Sequence, residues 1–194
     1  MTRKKNEKHS EILKAALEVF AENGFHRSQV SKIANTAGVA QGTIYLYFKR
    51  KEDILIALFQ EIMSDLVAKF TVGIQESKDV REALHKICHI HYSEMEGNVN
   101  LALVTQIELF QSDRELRKTV GETVKPYIKL IEELLLKGIE QGLFRPSMDV
   151  KLVRLLLFGA MDEVVTSWLI SGRKYSLAAQ TEGTIDFFLN GISK

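Results

Sequence analysis

The sequence predicts an all-α protein of about nine helices, because apolar residues recur three and four positions apart along almost the whole chain. Only two prolines occur in 194 residues, so long helices are permitted. No stretch shows the clear alternation of apolar and polar residues that indicates a half-buried strand. We expect a small N-terminal domain, residues 1–51, and a larger helical domain, residues 52–194.

The N-terminal domain is predicted to contain three helices. Ile12, Ala16 and Phe20 lie on one stripe of the first, which ends at Asn23-Gly24. Ser28 is expected to cap a second helix over residues 29–37. Gly38 should then adopt the left-handed conformation that ends this helix, and a third helix is expected over residues 41–48. Two short helices joined by a glycine turn are typical of a helix-turn-helix that enters the major groove of DNA.

The outward face of the third helix carries hydrogen-bonding side chains and one glycine. Ile44 and Phe48 are expected to face inward, which leaves Gln41 to reach a base edge and Gly42 to allow close approach of the backbone to DNA. Tyrosine and threonine hydroxyls can donate to phosphate oxygens. The alternative is an ordinary surface helix pair with an exposed aromatic patch. The predicted DNA contacts are Ser28, Gln29, Ser31, Gln41, Gly42, Thr43, Tyr45, Tyr47, Lys49 and Lys51.

The distribution of charge supports a DNA-binding N-terminal domain. The whole chain has a formal net charge of only +1. Residues 1–51 carry ten Lys and Arg against four Asp and Glu, whereas residues 52–194 carry sixteen against twenty-one. The basic end is therefore the end that carries the helix-turn-helix, as an approach to phosphates requires.

The larger domain is predicted to be helical throughout. A long helix starts near Lys51 and continues past Phe70, so it connects the DNA-binding domain to the rest of the chain. Pro126 falls inside a later helix and is expected to kink it or to mark its true beginning. The other helices are predicted over residues 80–95, 101–111, 114–141, 150–171 and 177–191.

Composition and motifs disfavour several classes of protein. Cys88 is the single cysteine, which excludes an internal disulfide. The N-terminus lacks the apolar stretch of a signal peptide, and charges interrupt the most apolar segment, Leu152–Ile170, so we expect a cytoplasmic protein that does not contact the membrane. No nucleophile, phosphate-loop or metal-binding motif is present, so we expect no enzymatic activity.

Two other groups of residues allow different interpretations, a metal site and an enzyme. His85, Cys88 and His89 share one helical face with a spacing that can hold a transition metal, but no fourth ligand is apparent and we expect a partly buried mixed face without a metal. Carboxylates expected to be buried, such as Glu108, Asp162 and Glu163, together with Ser and His residues, are the basis of an alternative from another class, an acyl-CoA enzyme on a helical scaffold.

The motifs of the N-terminal domain resemble those of the TetR family of bacterial repressors. The resemblance implies a homodimer that binds a palindromic operator in double-stranded DNA and releases it when a ligand enters the larger domain. We expect the dimer to form through the last two helices, with Val153, Leu156, Leu157, Gly159, Ala160, Val164, Ile185, Phe188 and Leu189 at the interface. The residues that carry the resemblance are Gly24-Phe25, Ser28, Ile33-Ala34, Ala37-Gly38-Val39, the run from Gly42 to Phe48, and Lys51.

Within that family, residues 101–112 and 158–168 are similar to the regulators of fatty acid degradation. This similarity implies a long-chain acyl-CoA as effector, with no other cofactor. The alternative is a repressor that responds to a drug or another lipid-like molecule, with Glu108, Asp162 and Glu163 facing a cationic ligand. Apolar residues proposed to line the acyl tunnel are Leu66, Phe70, Leu103, Ile107, Phe110, Leu134, Met161, Val165 and Trp168, and the cations proposed for the CoA phosphates are Arg114, Arg117, Arg173 and Lys174.

Overall fold

The computed structural model describes the backbone of residues 3–108 and 114–192. Within these ranges every regular element is helical, which confirms the all-α prediction. A π-helical turn spans Val104–Glu108, and a 3₁₀ turn spans Ala178–Gln180. The helices are α1 (Arg3–Asn23), α2 (Val30–Thr36), α3 (Gln41–Tyr45), α4 (Lys51–Gln75), α5 (Val80–Gly97), α6 (Val99–Leu103), α7 (Arg114–Glu140), α8 (Val150–Ile170) and α9 (Thr181–Ile192).

The chain forms two compact units. The first comprises Met1–Ile62 and Asn100–Thr123, and the second comprises Met63–Val99 and Val124–Lys194. The domain boundary expected after Lys51 falls at the first residue of α4, whereas the first unit continues for three further turns of that helix. Those turns contribute buried apolar side chains, which is why they belong with the N-terminal helices: Ile54, Leu55, Leu58 and Phe59.

The first unit contains the predicted helix-turn-helix. Helix α1 packs on α2, and α2 packs on α3. Gly24 ends α1 with φ of 75°, and Gly38 follows α2 with φ of 64°, which confirms the left-handed conformation that the sequence predicted at Gly38. The Val39 amide donates to the carbonyl of Ala34 at 3.0 Å and closes the turn. Ile44 and Phe48 are buried, as expected.

Helix α3 is shorter than predicted. It ends at Tyr45 rather than at residue 48, and the amides of Tyr47 and Phe48 both donate to the carbonyl of Ile44 at 2.9 Å. The chain then turns into α4, where the Asp53 carboxylate accepts from the amides of Lys49 and Arg50. Because Asp53 satisfies these amides outside a helix, the chain has a favourable alternative to extending α3.

In the second unit, α5 packs against α8 and α9. Asp79 caps α5 by accepting from the Glu82 amide, and Asp149 caps α8 by accepting from the Leu152 amide. The Glu96 carboxylate accepts from the amides of Leu177 and Ala178 and so fixes the 3₁₀ turn to the end of α5. The last predicted helix, 177–191, is therefore divided into this turn and α9.

The structure excludes one of the two alternatives predicted for Pro126, and one further helix prediction needed correction. Helix α7 begins at Arg114, so Pro126 lies inside it and does not mark its beginning. Pro126 and Glu122, the residue one turn earlier, are both exposed, so water can satisfy the Glu122 carbonyl that a proline cannot bond. The helix predicted over 101–111 is instead α6 followed by the π-helical turn, and its predicted end at Gln111 lies outside the described residues.

None of the described helices combines the length and the apolar character that crossing a membrane requires.

Candidate DNA-binding and ligand-binding sites

The predicted DNA-contact residues of α3 lie on the open face of the helix-turn-helix. Gln41, Gly42 and Tyr45 are exposed, whereas Thr43 and Tyr47 are half-buried. A Cβ atom at Gly42 would meet nothing within 4 Å, so the packing of the chain itself does not require a glycine there. The absence of a side chain instead leaves room for another molecule to come close to the backbone, which fits the close approach to DNA predicted for Gly42.

Exposed residues also flank this face. Lys49 and Gln29 are exposed, and Ser31 is half-buried with its hydroxyl 3.4 Å from Gln29 Oε1. Leu46, immediately after α3, is 78% exposed, which is unusual for so large an apolar side chain and was not predicted. The first unit therefore offers amide, hydroxyl, ammonium and apolar groups together at the surface that the sequence assigned to DNA.

Ser28 is placed differently from its prediction. Gln29 is the N-cap of α2, without a side-chain bond to the helix, so the prediction of a Ser28 cap was wrong. The Ser28 hydroxyl is buried and donates to the carbonyls of Gly24 at 2.7 Å and Val19 at 3.1 Å. Val19 lies near the end of α1 and Gly24 directly follows that helix, so the hydroxyl bonds to the end of α1 instead of to the start of α2. Ser28 thereby joins α1 to the loop.

Lys51 is also directed inward. Its Nζ atom donates to the carbonyl oxygens of Phe25, His26 and Ser28 at 2.7, 3.1 and 3.0 Å. It also lies 4.5 Å from the centre of the Phe25 ring. An ammonium group has three donors, and all three are engaged with the loop between α1 and α2. The first residue of α4 therefore holds the loop that positions α2.

The predicted ligand-binding residues are divided between the two units. Leu103 is half-buried in the first unit. The side chain of Ile107 and the whole of Phe110 lie outside the described residues. Six of the predicted tunnel residues are buried in the second unit: Leu66, Phe70, Leu134, Met161, Val165 and Trp168.

Two of the four predicted cations lie next to one of these buried residues. Arg173 and Lys174 are exposed on the turn after α8, and the Arg173 amide donates to the carbonyl of Trp168 at 3.0 Å. The Trp168 indole in return donates to the carbonyl of Tyr175 at 2.9 Å. Arg173 has a left-handed φ of 62°, which is uncommon for a residue with a side chain. Exposed Arg114 and Arg117 belong to the first unit.

A polar group inside the second unit was missed by the sequence analysis. His91 on α5 is buried beside Tyr127, with ring centroids 5.9 Å apart, and Tyr127 stacks in turn with Phe70 at 4.6 Å and Phe158 at 5.3 Å. Burial lowers the pKa of His91 to about 4 and raises the pKa of Tyr127, so both side chains are neutral at pH 7. The spacing of Leu84, Ile87, His91 and Met95 would have placed His91 on the buried stripe of α5.

Comparison with known protein families gives two adjoining matches. Residues 12–58 match the model of bacterial regulatory proteins of the tetR family, and residues 59–191 match the model of the C-terminal region of YsiA-like proteins. This chain belongs to the TetR family. The division between the two matches lies within α4, the helix that contributes to both structural units of this TetR-family protein.

Similar members of the family share its full length. The chain is 45% identical over 190 residues to the fatty acid metabolism regulator protein of Bacillus subtilis, and the match covers 98% of each chain. The crystal structure of FadR from Bacillus subtilis in complex with stearoyl-CoA is 45% identical, with a TM-score of 0.92 over 94% of this chain and 98% of that one. FadR from Bacillus halodurans is 46% identical, with a TM-score of 0.92 over 95% of both chains.

The candidate metal ligands of this TetR-family chain have other partners. The Cys88 thiol is buried against Tyr92, and burial raises its pKa to about 12. His85 Nε2 lies 3.0 Å from Glu182 Oε2, and His89 stacks on His85 with ring centroids 6.4 Å apart. Within residues 3–108 and 114–192, no three His, Cys, Asp or Glu side chains come together in a group that could hold a metal ion.

The last two helices carry an apolar surface. Leu156 is 53% exposed and Phe187 is 76% exposed, and both line a groove of about 560 Å³ between α8 and α9. Leu157 and Ile185 had been predicted at the dimer interface, but both are buried in the core of their own unit. They point inward because α8 and α9 each pack one stripe on α5. Exposed Leu155 was missed, since periodicity alone does not tell which stripe faces the chain's own core.

Proposed function

We propose that this TetR-family protein is a homodimeric repressor that binds palindromic operators and is released by long-chain acyl-CoA. It would act in the cytoplasm and control genes of fatty acid degradation. One observation carries this proposal: 45% identity over 98% of the chain to the fatty acid metabolism regulator protein of Bacillus subtilis. The Bacillus subtilis FadR structure in complex with stearoyl-CoA supports the choice of ligand.

Operator binding is supported by the surface of the helix-turn-helix. Gln41 would read a base edge, Gly42 would let the backbone approach, and the hydroxyls of Thr43, Tyr45 and Tyr47 would contact phosphates. One such helix makes few base contacts. Two copies on successive major grooves, about 34–36 Å apart, combine their affinities when their spacing matches the DNA. A palindromic operator therefore follows from a two-fold symmetric dimer.

The second copy would be bound through α8 and α9. The exposed leucines of α8 and Phe187 of α9 form an apolar surface, and a monomer would leave it in water. A two-fold axis through this surface pairs each patch with its own copy. Gly159 is exposed on the same helix, where the lack of a side chain permits close approach of the partner.

Ligand binding is supported by the chemistry of the second unit. Its six buried candidate residues supply apolar surface for an acyl chain, and Arg173 and Lys174 lie on the turn that is bonded to Trp168. Apolar side chains next to exposed cations suit a molecule that joins an alkyl chain to phosphates. We propose that the ligand enters this unit and acts on the DNA-binding unit through α4, which contributes to both.

The test is release from DNA. A duplex selected by the protein from random sequence is bound at low salt and then titrated with palmitoyl-CoA, free CoA or palmitate. We expect release by palmitoyl-CoA alone, with the ligand recovered unchanged, because a regulator does not consume its effector. Release by a cationic drug and not by palmitoyl-CoA would instead favour the drug-responsive alternative. Hydrolysis of palmitoyl-CoA during the titration would favour an enzyme.

A further inference from the structure

His91 is a buried residue with one nitrogen bonded and one not. The side chain is only 2% exposed. Nδ1 lies 3.3 Å from the hydroxyl of Tyr127, whereas Nε2 forms no hydrogen bond within the described part of the chain. Asp162 Oδ1 lies 3.9 Å from Nε2, which is beyond hydrogen-bond distance. An orphaned nitrogen inside a core is destabilising and requires an explanation.

The protonation of the pair follows from its surroundings. Burial holds the imidazole of His91 and the phenol of Tyr127 in their neutral forms at pH 7. A neutral imidazole carries one proton, and a carboxylate beyond Nε2 favours that proton on Nε2. The Tyr127 hydroxyl then donates to Nδ1. His91 therefore presents an Nε2–H donor that has no acceptor in bonding distance within residues 3–108 and 114–192.

We propose that His91 Nε2–H binds the thioester carbonyl oxygen of the acyl ligand. This assignment rests on the proposed function, since it concerns the same ligand. The His91 ring lies beside the rings of Tyr127 and Tyr92, with centroids 5.9 Å apart in each case, and Tyr127 packs in turn on Phe70 and Phe158. A hydrogen bond made in such a medium is stronger than in water, and its partner should be a single polar atom on an otherwise apolar molecule.

Asp162 determines which kind of carbonyl fits. Its carboxylate lies 3.9 Å from His91 Nε2, and its negative charge adds to burial, the larger cause, in raising the pKa of Tyr127. A second carboxylate at this point, such as the head group of a free fatty acid, would be repelled. A thioester oxygen is neutral and accepts one hydrogen bond. The pair of His91 and Asp162 would thus distinguish an acyl thioester from the free acid.

The experiment compares two ligands that differ at that carbonyl. Affinities of the wild-type protein for palmitoyl-CoA and for the thioether S-hexadecyl-CoA are measured by calorimetry. We expect palmitoyl-CoA to bind about tenfold more tightly, and His91→Phe to lose that tenfold while leaving the thioether unchanged. His91→Gln, which keeps an N–H near the position of Nε2, should retain most of the preference. Palmitate should bind more weakly than either.

A matched control comes from the next residue of α5. Tyr92 is also buried, and its hydroxyl contacts Thr184 Oγ1 at 3.1 Å. Tyr92→Phe should change the two affinities by the same factor. Equal affinities of the wild type for both ligands, or equal losses in His91→Phe, would overturn the assignment to the carbonyl and leave the acyl-CoA effector intact. Failure of the wild type to bind either ligand would overturn the proposed effector together with the subsite.

Discussion

Lys51 places its Nζ atom 2.7 Å from the carbonyl oxygen of Phe25 and 4.5 Å from the centre of the Phe25 ring. The same ammonium group bonds the carbonyls of His26 and Ser28. Helix α4 therefore begins with a residue that fixes the loop between α1 and α2. Since α2 packs on α3, this contact also supports the position of α3.

Lys51→Met should lower the free energy of unfolding by about 1–3 kcal/mol, because three carbonyl oxygens lose a charged donor. Operator affinity should fall with an unchanged salt dependence. Exposed Lys49 is the control: Lys49→Met should leave stability unchanged and reduce the slope of log K against log salt by about 1. Thermal unfolding and salt titrations give both quantities. If Lys51→Met had normal stability but a reduced slope of log K against log salt, Lys51 would be shown to contact a DNA phosphate.

Gln41→Ala should alter the sequence preference of the protein more than its overall affinity. The exposed Gln41 amide at the start of α3 is proposed to contact a base edge, and a good contact discriminates by about 1–3 kcal/mol. Tyr45→Phe should instead weaken binding to every operator variant alike, because a phosphate contact carries no sequence information. Affinities for a set of single-base operator variants measure both effects. Equal weakening of all variants by Gln41→Ala would refute its proposed role.

Leu156→Glu should convert the dimer to a monomer, because it buries an unpaired charge in the proposed two-fold interface. We expect dimerisation to weaken by about 2–4 kcal/mol and operator affinity to fall with it. Val72→Glu is the matched control, since Leu156 and Val72 are each 53% exposed, on α8 and α4 respectively. Sedimentation equilibrium reports the assembly state. A dimer that persists in Leu156→Glu would move the interface elsewhere.

Gly138→Ala should destabilise the second unit by about 1–3 kcal/mol. A Cβ at Gly138 would overlap the ring of Phe144, which is fully buried and cannot move aside. Gly121 lies on the same helix, α7, with nothing within 4 Å of its Cβ position, so Gly121→Ala should stabilise by about 0.5–1 kcal/mol through helix propensity. Denaturant unfolding shows whether each substitution lowers or raises the free energy of unfolding. Equal changes in the two variants would show that the Phe144 ring moves to make room for the new Cβ.

His91 should make the protein less stable as the pH falls from about 6.5 to about 4. Burial lowers the pKa of His91 from 6.5 to about 4. Between these two pH values His91 binds a proton in the unfolded chain but not in the native state, so protonation favours unfolding. The stability that the neutral histidine contributes is complete above the unfolded pKa and is lost as the pH approaches 4. His91→Gln should flatten this part of the stability profile, measured by urea unfolding at several pH values. If the stability of His91→Gln depended on pH in the same way as that of the wild type, the lowered pKa of His91 would be contradicted.

Local patterns predicted most of the helices, because periodicity and turn chemistry act over short distances. Gly38 shows this well: its place after α2 required a left-handed residue, and it has φ of 64°. Inward-facing Ile44 and Phe48 were predicted by the same reasoning. The errors arose where a distant group competes with a local one. The Ser28 hydroxyl was expected to cap α2, but carbonyls of α1 accept it instead.

The helical class, the helix-turn-helix and its basic charge could be predicted from the amino-acid sequence, because propensity, hydrophobic period and composition are local properties. Three features required the folded chain: the stripes of α8 that face inward, the bonds from Lys51 to the loop after α1, and the His91 nitrogen that has no hydrogen-bond partner among the described residues. These outcomes depend on groups far apart in the chain, such as Lys51 and Phe25, and the packing of whole helices brings them within hydrogen-bond distance.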